Sequence, residues 1–436
     1  MSGPARPTVC LLSPAQLWVN PRIRKEADAL HAAGYTVRVA YRADGPVERD
    51  DALLAAVPWT WHRLDMSRRR MPARWAAAAL AQRAAQALVR AGASTPSMDA
   101  PAYCRGHAAL TAWAIAQRAH LYVAHTQPVL AAAASAAQAL GVPFAFDCED
   151  LLSEETSDGL RASWRRNLIA RLERRFLPRA AYVSATSRPM ADYLTERYSL
   201  QDVRVWHNVF PSIEREGIAP PGQRPAAVAV ELAWISATVG RGRGLEDVMA
   251  ALRLLPATVT FHIYGAVGTG ESRWFAHVTR GLERRVVVHP LPPATSVLRT
   301  LARHHIGLSV DGSDCANRAL TVCNKVFLYL HAGLACVATN TLGHASVLAG
   351  SIGARADCLF PPGNVDALVE ILRRLTAPEV LMRAQNAAWL AGSTRYSWDV
   401  ECEAFLRAVS DALAGRLVPA RTLAGEPARA SAQQVA

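Results

Sequence analysis

Along the first 210 residues, short apolar runs alternate with stretches whose apolar residues recur at helical spacing. "TVCLLSP" is a brief apolar run that ends in polar residues. "PRIRKEADALHAAG" keeps its apolar residues on one face and stops at Gly34, and "YTVRVAYR" is the next apolar run. The pattern predicts strand, amphipathic helix, strand. "LYVAHT", "PFAFDCED" and "AAYVSATS" repeat the theme, each ending in polar or acidic residues. Strands alternating with helices predict parallel βαβ units in a doubly wound sheet, with ligands beyond the carboxyl ends of the strands. Ser13, His125, Asp147 and Ser187 are therefore expected on one rim.

The pattern breaks at "PSIEREGIAPPGQRPAAV", residues 211–227, which is rich in Pro and Gly and has no period. It reads as a linker. Alternation then restarts with "ELAWISATVG", "TVTFHIYGAV", "VVVHPL", "IGLSVDG", "ACVATN" and "DCLFPP". The fold expected is α/β, with two Rossmann-like domains, 1–210 and 228–398, facing each other across a cleft. A closing helix, 399–415, and an Ala/Arg tail without reason to order, 416–436, complete the chain.

Composition narrows the picture. A chain of 436 residues, 51% hydrophobic, has room for two cores. The net charge of +12 is spread through the chain. It suits an acidic partner: a phosphorylated substrate, an anionic lipid surface or nucleic acid. Dispersed arginines and the lack of a reading module count against nucleic acid. The eight cysteines form no CxxC pair and no spaced Cys/His quartet, so no zinc site is expected. Cys10, Cys336 and Cys358 lie in apolar runs, as reduced core thiols do. "TVCLL" is too short for a secretory leader and "LAAAASAAQALGV" too short to span a bilayer, so the expectation is a soluble cytoplasmic chain.

Only two of the 48 basic residues are lysines. One, Lys325, lies in "ALTVCNKVFLYLHAGLACVATN". Val326, Phe327, Leu330 and Ala332 have helical spacing and Gly333 supplies a stop, so Asn324 and Lys325 start a helix. A helix start offers unpaired N–H groups and a positive dipole end to a phosphate. A compact ammonium suits a site too tight for a planar guanidinium; a solvated lysine is the equal alternative. In "ISATVGRGRGLEDVMAAL" a strand passes through Gly240, Arg241, Gly242, Arg243 and Gly244 into an amphipathic helix. The glycines permit close backbone approach, and Arg241 and Arg243 can hold a diphosphate bidentately. The turn is neither GxGxxG nor GxxxxGK[ST], and solvated arginines on a plain turn remain the other reading.

In order and spacing these pieces resemble the retaining nucleotide-sugar glycosyltransferases of the GT-B fold, the family 4-like group with many bacterial polysaccharide-biosynthesis members. The likeness is carried by "NPRIRKEADALHAAGYTVRVAYR", "AHTQPVLAAAASAAQALGVPFAFDCEDLLSEE", "RVWHNVFP", "GRGLEDVMAAL", "NKVFLYLHAGLACVATN" and "RYSWDVECEAFL". The last looks like a closing helix that crosses back to the first domain. The resemblance implies an enzyme that moves a sugar, as a hexosyltransferase would, from a nucleoside-diphosphate sugar to a glycan, lipid-linked or small hydroxylated acceptor. It implies retention and no cofactor or metal, and no Asp-x-Asp pair suited to a bridging cation is apparent. Arg243 and Lys325 would hold the donor diphosphate and His125 would sit near the transferred sugar, making these three the catalytic set. Gly240, Arg241, Gly242, Gly244, Thr321 and Asn324 would line the donor pocket. Asp147, Glu149 and Asp150 would be on the acceptor side, as proton acceptor, as partners of sugar hydroxyls, or as caps of the next helix.

The sequence departs from the family in places. Where many members carry a Glu-x7-Glu pair, Leu328 stands at the later position and Ala319 or Leu320 near the earlier one. "DCED" replaces a "DSHE" stretch, putting Glu149 where His is common. A non-catalytic sugar-nucleotide or glycan-binding protein, or a nucleotide-sugar epimerase, is the alternative. His207 and Asn208 are expected to shape the hinge. Two basic amphipathic stretches, "RRRMPARWAAAALAQRAAQALVRAG" and "RASWRRNLIARLERRFLPRA", leave open a peripheral contact with the anionic inner face of the plasma membrane. In the second, Trp164, Leu168, Leu172 and Phe176 share a stripe.

Overall fold

The computed structural model describes residues 6–155, 160–225, 229–349 and 358–416. The first sheet contains β1 (Thr8–Ser13), β2 (Thr36–Ala43), β3 (Thr60–Asp65), β4 (Leu121–His125), β5 (Phe144–Cys148), β6 (Val183–Ala185) and β7 (Val203–Val205). The second contains β8 (Glu231–Val239), β9 (Thr260–Val267), β10 (Val286–His289), β11 (Ile306–Ser309), β12 (Ala335–Thr339) and β13 (Leu359–Phe360). Strand orders are β3-β2-β1-β4-β5-β6-β7 and β10-β9-β8-β11-β12-β13, and neighbours run parallel. In both sheets the order reverses beside the first strand, the topological switch point of a doubly wound fold.

The near-continuous apolar runs follow from this architecture, because helices cover both faces of the sheets. Every residue of β4 and β5 is buried. One face of the first sheet, with Cys10, Leu12, Tyr122 and Ala124, packs on the Ala-rich helix Gln127–Leu140. The other face, with Val9, Leu11 and Val39, meets Ile23, Ala27 and Leu30 of helix Pro21–Ala32. That layer continues through Trp206 to Phe405 of the closing helix Trp398–Leu413, with ring centroids 5.9 Å apart. The C-terminal helix thus lies against the first domain.

The segment after β7 is no loose tether. Short 3-10 turns form at Ser212–Arg215 and Pro221–Gln223. The Arg215 guanidinium lies 3.5 Å from the Trp389 ring centroid, and Arg224 donates to the carbonyl of Ala332 (2.6 Å). His207 and Asn208 do sit at the junction. The His207 amide donates to Glu401 Oε2 at 3.0 Å, and its Nδ1 is 2.6 Å from Glu401 Oε1. Lys25, the second lysine, donates to Asn208 Oδ1 (3.1 Å) and to the carbonyl of Val209. Its ammonium also lies 5.5 Å from the ring centroids of both Phe210 and Trp398. Residues 226–227 of the expected linker and 417–436 of the expected tail fall outside the described residues.

The stripe on helix Leu160–Phe176 does not face a lipid surface: Leu168, Leu172 and Phe176 are buried in the cores of their own domain. Helix Pro72–Arg90 does leave Leu80 and Leu88 exposed. No helix among the described residues is long and apolar enough to cross a membrane.

Candidate active site

In the second domain β8 ends at Val239 and the chain turns through Gly240–Gly244 into helix Leu245–Leu254. Gly244 has φ +69°, and a Cβ there would lie 1.8 Å from the Val310 carbonyl oxygen. Only glycine lets this turn press against the segment that leaves β11. One residue further along that segment, Asp311 Oδ2 accepts a 2.7 Å hydrogen bond from Lys325 Nζ, and the ammonium is 5.2 Å from the Trp234 ring centroid. Lys325 is therefore neither solvated nor a lone cation. It is 5% exposed and half of an ion pair.

Burial alone would raise the Asp311 carboxyl, but the charge and hydrogen bond of Lys325 outweigh that and hold it below its ordinary 3.8. Arg243 lies close enough for its charge to act on both Asp311 and Lys325. Arg243 itself is half-buried. Asn324 is exposed at the first position of helix Asn324–Ala332, as the pattern predicts. Thr321 Oγ1 donates to the Asn317 carbonyl at 2.6 Å. Arg241 is exposed and 3.8 Å from Glu271, so it must leave that carboxylate to meet a phosphate.

The first domain holds a denser cluster at the ends of β4 and β5. Arg22 Nε lies 2.6 Å from Asp147 Oδ2 and 3.4 Å from Glu26 Oε1. His125 Nε2 lies 3.1 Å from Glu26 Oε2, and its Nδ1 is 3.2 Å from Asp147 Oδ2 and 3.3 Å from Glu149 Oε1. Burial would lower the His125 value, but the Glu26 charge and the hydrogen bonds with Asp147, Glu149 and Glu26 raise it well above 6.5. Three carboxylates surround the ring. Burial pushes Asp147 up, yet Arg22 and His125 bring it down to about 2.

This placement corrects two expectations. His125 and Asp147 do not open onto the cleft: they are 0% and 1% exposed, and their polar atoms face one another. The acidic residues that do reach surface are the next ones. Glu149 is half-buried and accepts from Asn20 Nδ2 at 2.6 Å, whereas Asp150 is exposed. Although the residue as a whole reaches the surface, protein crowded around its carboxyl, then the charges of Glu149 and Glu155, raise Asp150 to about 7.

The acidic loop and its neighbourhood touch the second domain directly. Leu151 N donates to Asn317 Oδ1 (2.8 Å), Asn317 Nδ2 is 3.5 Å from Asp150 Oδ1, and Ser187 Oγ donates to the Leu320 carbonyl. The stretch 317–325 thus runs from the loop after β5 to the Lys325–Asp311 pair.

Arg22, Glu26, Asp311 and Asn317 were not singled out by sequence. A signal existed for the first two: charged residues four apart, in register with Ile23, Ala27 and Leu30 on the buried face of a helix. Asp311 closes the run "IGLSVDG", but its partner is fixed only by the fold. Among the described residues two groups have spacing fit for a metal, Glu26/His125/Asp147 and Glu231/His262/His304. In the first the Arg22 guanidinium already supplies the cation. The second lies apart from the cleft, where His304 Nδ1 is 3.0 Å from Glu231 Oε2.

A cleft between two doubly wound domains, with a glycine turn and a helix start on one side, is the GT-B architecture. Residues 19–209 match the family model described as glycosyl transferase 4-like domain. The crystal structure of Anabaena HepE in complex with UDP-glucose superposes with a TM-score of 0.67 at 15% identity, covering 93% of this chain and 99% of that one. Sucrose-phosphate synthase from Thermosynechococcus elongatus gives 0.64 at 14% identity, covering 94% and 100%. The lipopolysaccharide outer core galactosyltransferase WaaB in its apo form gives 0.59 at 12%, covering 94% and 100%. No curated protein matches the chain by sequence.

Proposed function

We propose that the protein is a glycosyltransferase that moves a sugar from a nucleoside-diphosphate sugar to a hydroxylated acceptor, with retention and without a metal. The observation that carries this reading is the meeting of Arg243, Lys325 and two helix starts at the carboxyl ends of β8 and β11, across from Glu149 and Asp150 after β5. The match of residues 19–209 to a glycosyl transferase 4-like domain and the UDP-glucose bound to Anabaena HepE support it.

As the bond between sugar and diphosphate breaks, negative charge grows on the leaving phosphate. Arg243 approaches that charge with two N–H donors, and Lys325 adds a charge already fixed in place by Asp311 and Trp234. The first-turn N–H groups of helices Leu245–Leu254 and Asn324–Ala332 add partial positive charge. Lys325 and the helix N–H groups are held in place before the reaction, so little reorganisation of them is needed as the charge develops. Glu149 and Asp150 are placed to bond acceptor hydroxyls or take the proton released there. His125 acts by holding Glu26, Asp147 and Glu149 in position. Retention rests on the sequence resemblance.

The test is a panel of nucleotide sugars with free nucleoside diphosphate as the readout. Release from one or a few members is expected. Tight binding of a nucleotide sugar without release, with or without saccharides present, would favour the non-catalytic binding reading.

A further inference from the structure

At the other end of the first sheet, the carboxyl ends of β2 and β3 frame a cavity of about 330 Å³. Its walls are Arg42 at the end of β2 and Asp44 just after it, Arg68 after β3, Trp75 and Gln82 of helix Pro72–Arg90, and Tyr103 with Arg105. Arg68, Trp75 and Gln82 come from the first basic amphipathic stretch and Arg42 from the end of β2, and none of the lining residues has a part in the transfer described above.

Three guanidinium groups share one carboxylate, and Asp44 is committed to Arg42 at 2.8 Å. Arg68 and Arg105 have no ion-pair partner among the described residues. Both are instead held against one indole, their guanidinium carbons 5.3 and 5.2 Å from the Trp75 ring centroid. Arg105 Nε donates to the neutral amide of Gln82 at 3.2 Å. The turn that presents Arg105 is tightly fitted: Gly106 has φ +80°, and a Cβ on it would lie 2.6 Å from Met66 Cε in the cavity floor. Two cations stacked on an aromatic ring and left without a counter-ion are already oriented for an oxyanion, since a guanidinium is weakly hydrated and binds such groups through paired N–H donors.

We propose that this cavity is a subsite for an acidic acceptor: it takes a phosphate or carboxylate carried on a sugar. Arg68 and Arg105 bond the anion, and Trp75 and Tyr103 supply apolar surface for the sugar body. The inference rests on the transferase reading above and names the acceptor class. The sheet sets the distance to the chemistry. Three strand spacings separate β2 from β5, about 14 Å at the usual inter-strand distance. The acceptor is therefore extended, with its charged end at this cavity and its reacting hydroxyl near Glu149 and Asp150.

The test is calorimetric titration of the full chain with glucose 6-phosphate, glucuronate, glucose and inorganic phosphate. It is repeated on the Arg68→Ala/Arg105→Ala double variant and on Trp75→Ala, with thermal unfolding run alongside to confirm that each is folded. The two acidic sugars are expected to bind at least about tenfold more tightly than glucose, as one charge-assisted contact provides. The double variant should abolish that preference. Trp75→Ala should weaken glucose 6-phosphate more than inorganic phosphate. Equal binding of glucose and the acidic sugars, or a preference that survives the double substitution, overturns the proposal. So does inorganic phosphate binding as tightly as the sugar phosphate, which marks a free-anion site. Nucleoside-diphosphate release by the wild type is measured separately: its absence overturns the transferase reading, while the binding result still decides the cavity.

Discussion

Two charged clusters sit at the carboxyl ends of the two sheets, and they differ in exposure more than in chemistry. Arg22, Glu26, His125 and Asp147 form a closed set, each 0–1% exposed, in which every charge faces its opposite. Lys325 and Asp311 are also paired and largely buried, but Arg243 beside them is half-buried and Asn324 is exposed at a helix start. The first cluster is closed to solvent; the second reaches it through Arg243 and Asn324. Residue type suggests catalysis for both, and only burial tells a scaffold from a site. The closed cluster holds Glu149 through His125, 3.3 Å away, and so fixes where the loop after β5 emerges.

The largest effect should come from opening the closed set. Glu26→Ala leaves the Arg22 and His125 charges buried with one fewer carboxylate, and should cost about 3–5 kcal/mol in urea unfolding. A loss under about 1 kcal/mol would place this cluster in contact with water after all.

Next comes Arg243→Ala. It should lower nucleoside-diphosphate release roughly a hundredfold, on the order of 3 kcal/mol in the barrier, with little change in thermal unfolding. Equal losses of stability and turnover would erase the contrast with Glu26→Ala.

Gly244→Ala should cost about 2 kcal/mol of stability through its left-handed backbone, and more if the turn cannot shift from Val310. Weakened donor binding should accompany it, because the turn carries Arg243.

The smallest effect separates the clusters by pH. His125 has a raised value, so its contribution is full below 6.5 and is lost as pH climbs through the folded value. Asp311 has a lowered value, so its contribution is full above 3.8 and is lost as pH falls through the folded value. Asp147, held at about 2, adds to the acid limb, its contribution being lost as pH falls from 3.8 to about 2. Unfolding temperatures measured across pH should therefore fall in alkali for wild type and less so for His125→Asn, while Asp311→Asn should flatten the acid limb.

Much of the fold was legible because a covered parallel sheet writes long apolar runs into its strands, and β4 and β5 are buried at every position. The glycine turn and the start of the Lys325 helix were legible for a local reason, since both depend on neighbours in the chain. The partners of Lys325 and His125 were not. Asp311 is 14 residues from Lys325, and Glu26 is nearly a hundred from His125; nothing short-range ties them. The cavity at Arg68 and Arg105 was hidden for the same reason: four separate segments build it. The lysines make the point locally. Each of the two sits against aromatic rings and oxygen acceptors, Lys25 at the junction after β7 and Lys325 beside Asp311, where a compact ammonium fits.

The most direct measurement is calorimetric titration of wild type and Arg243→Ala with a series of nucleoside diphosphates. Wild type should bind at least one of them, and the variant should bind that one about a hundredfold more weakly, close to 3 kcal/mol. Matching affinities in the two proteins, or no binding of any nucleoside diphosphate by wild type, would contradict a diphosphate site beside Lys325 and Asp311.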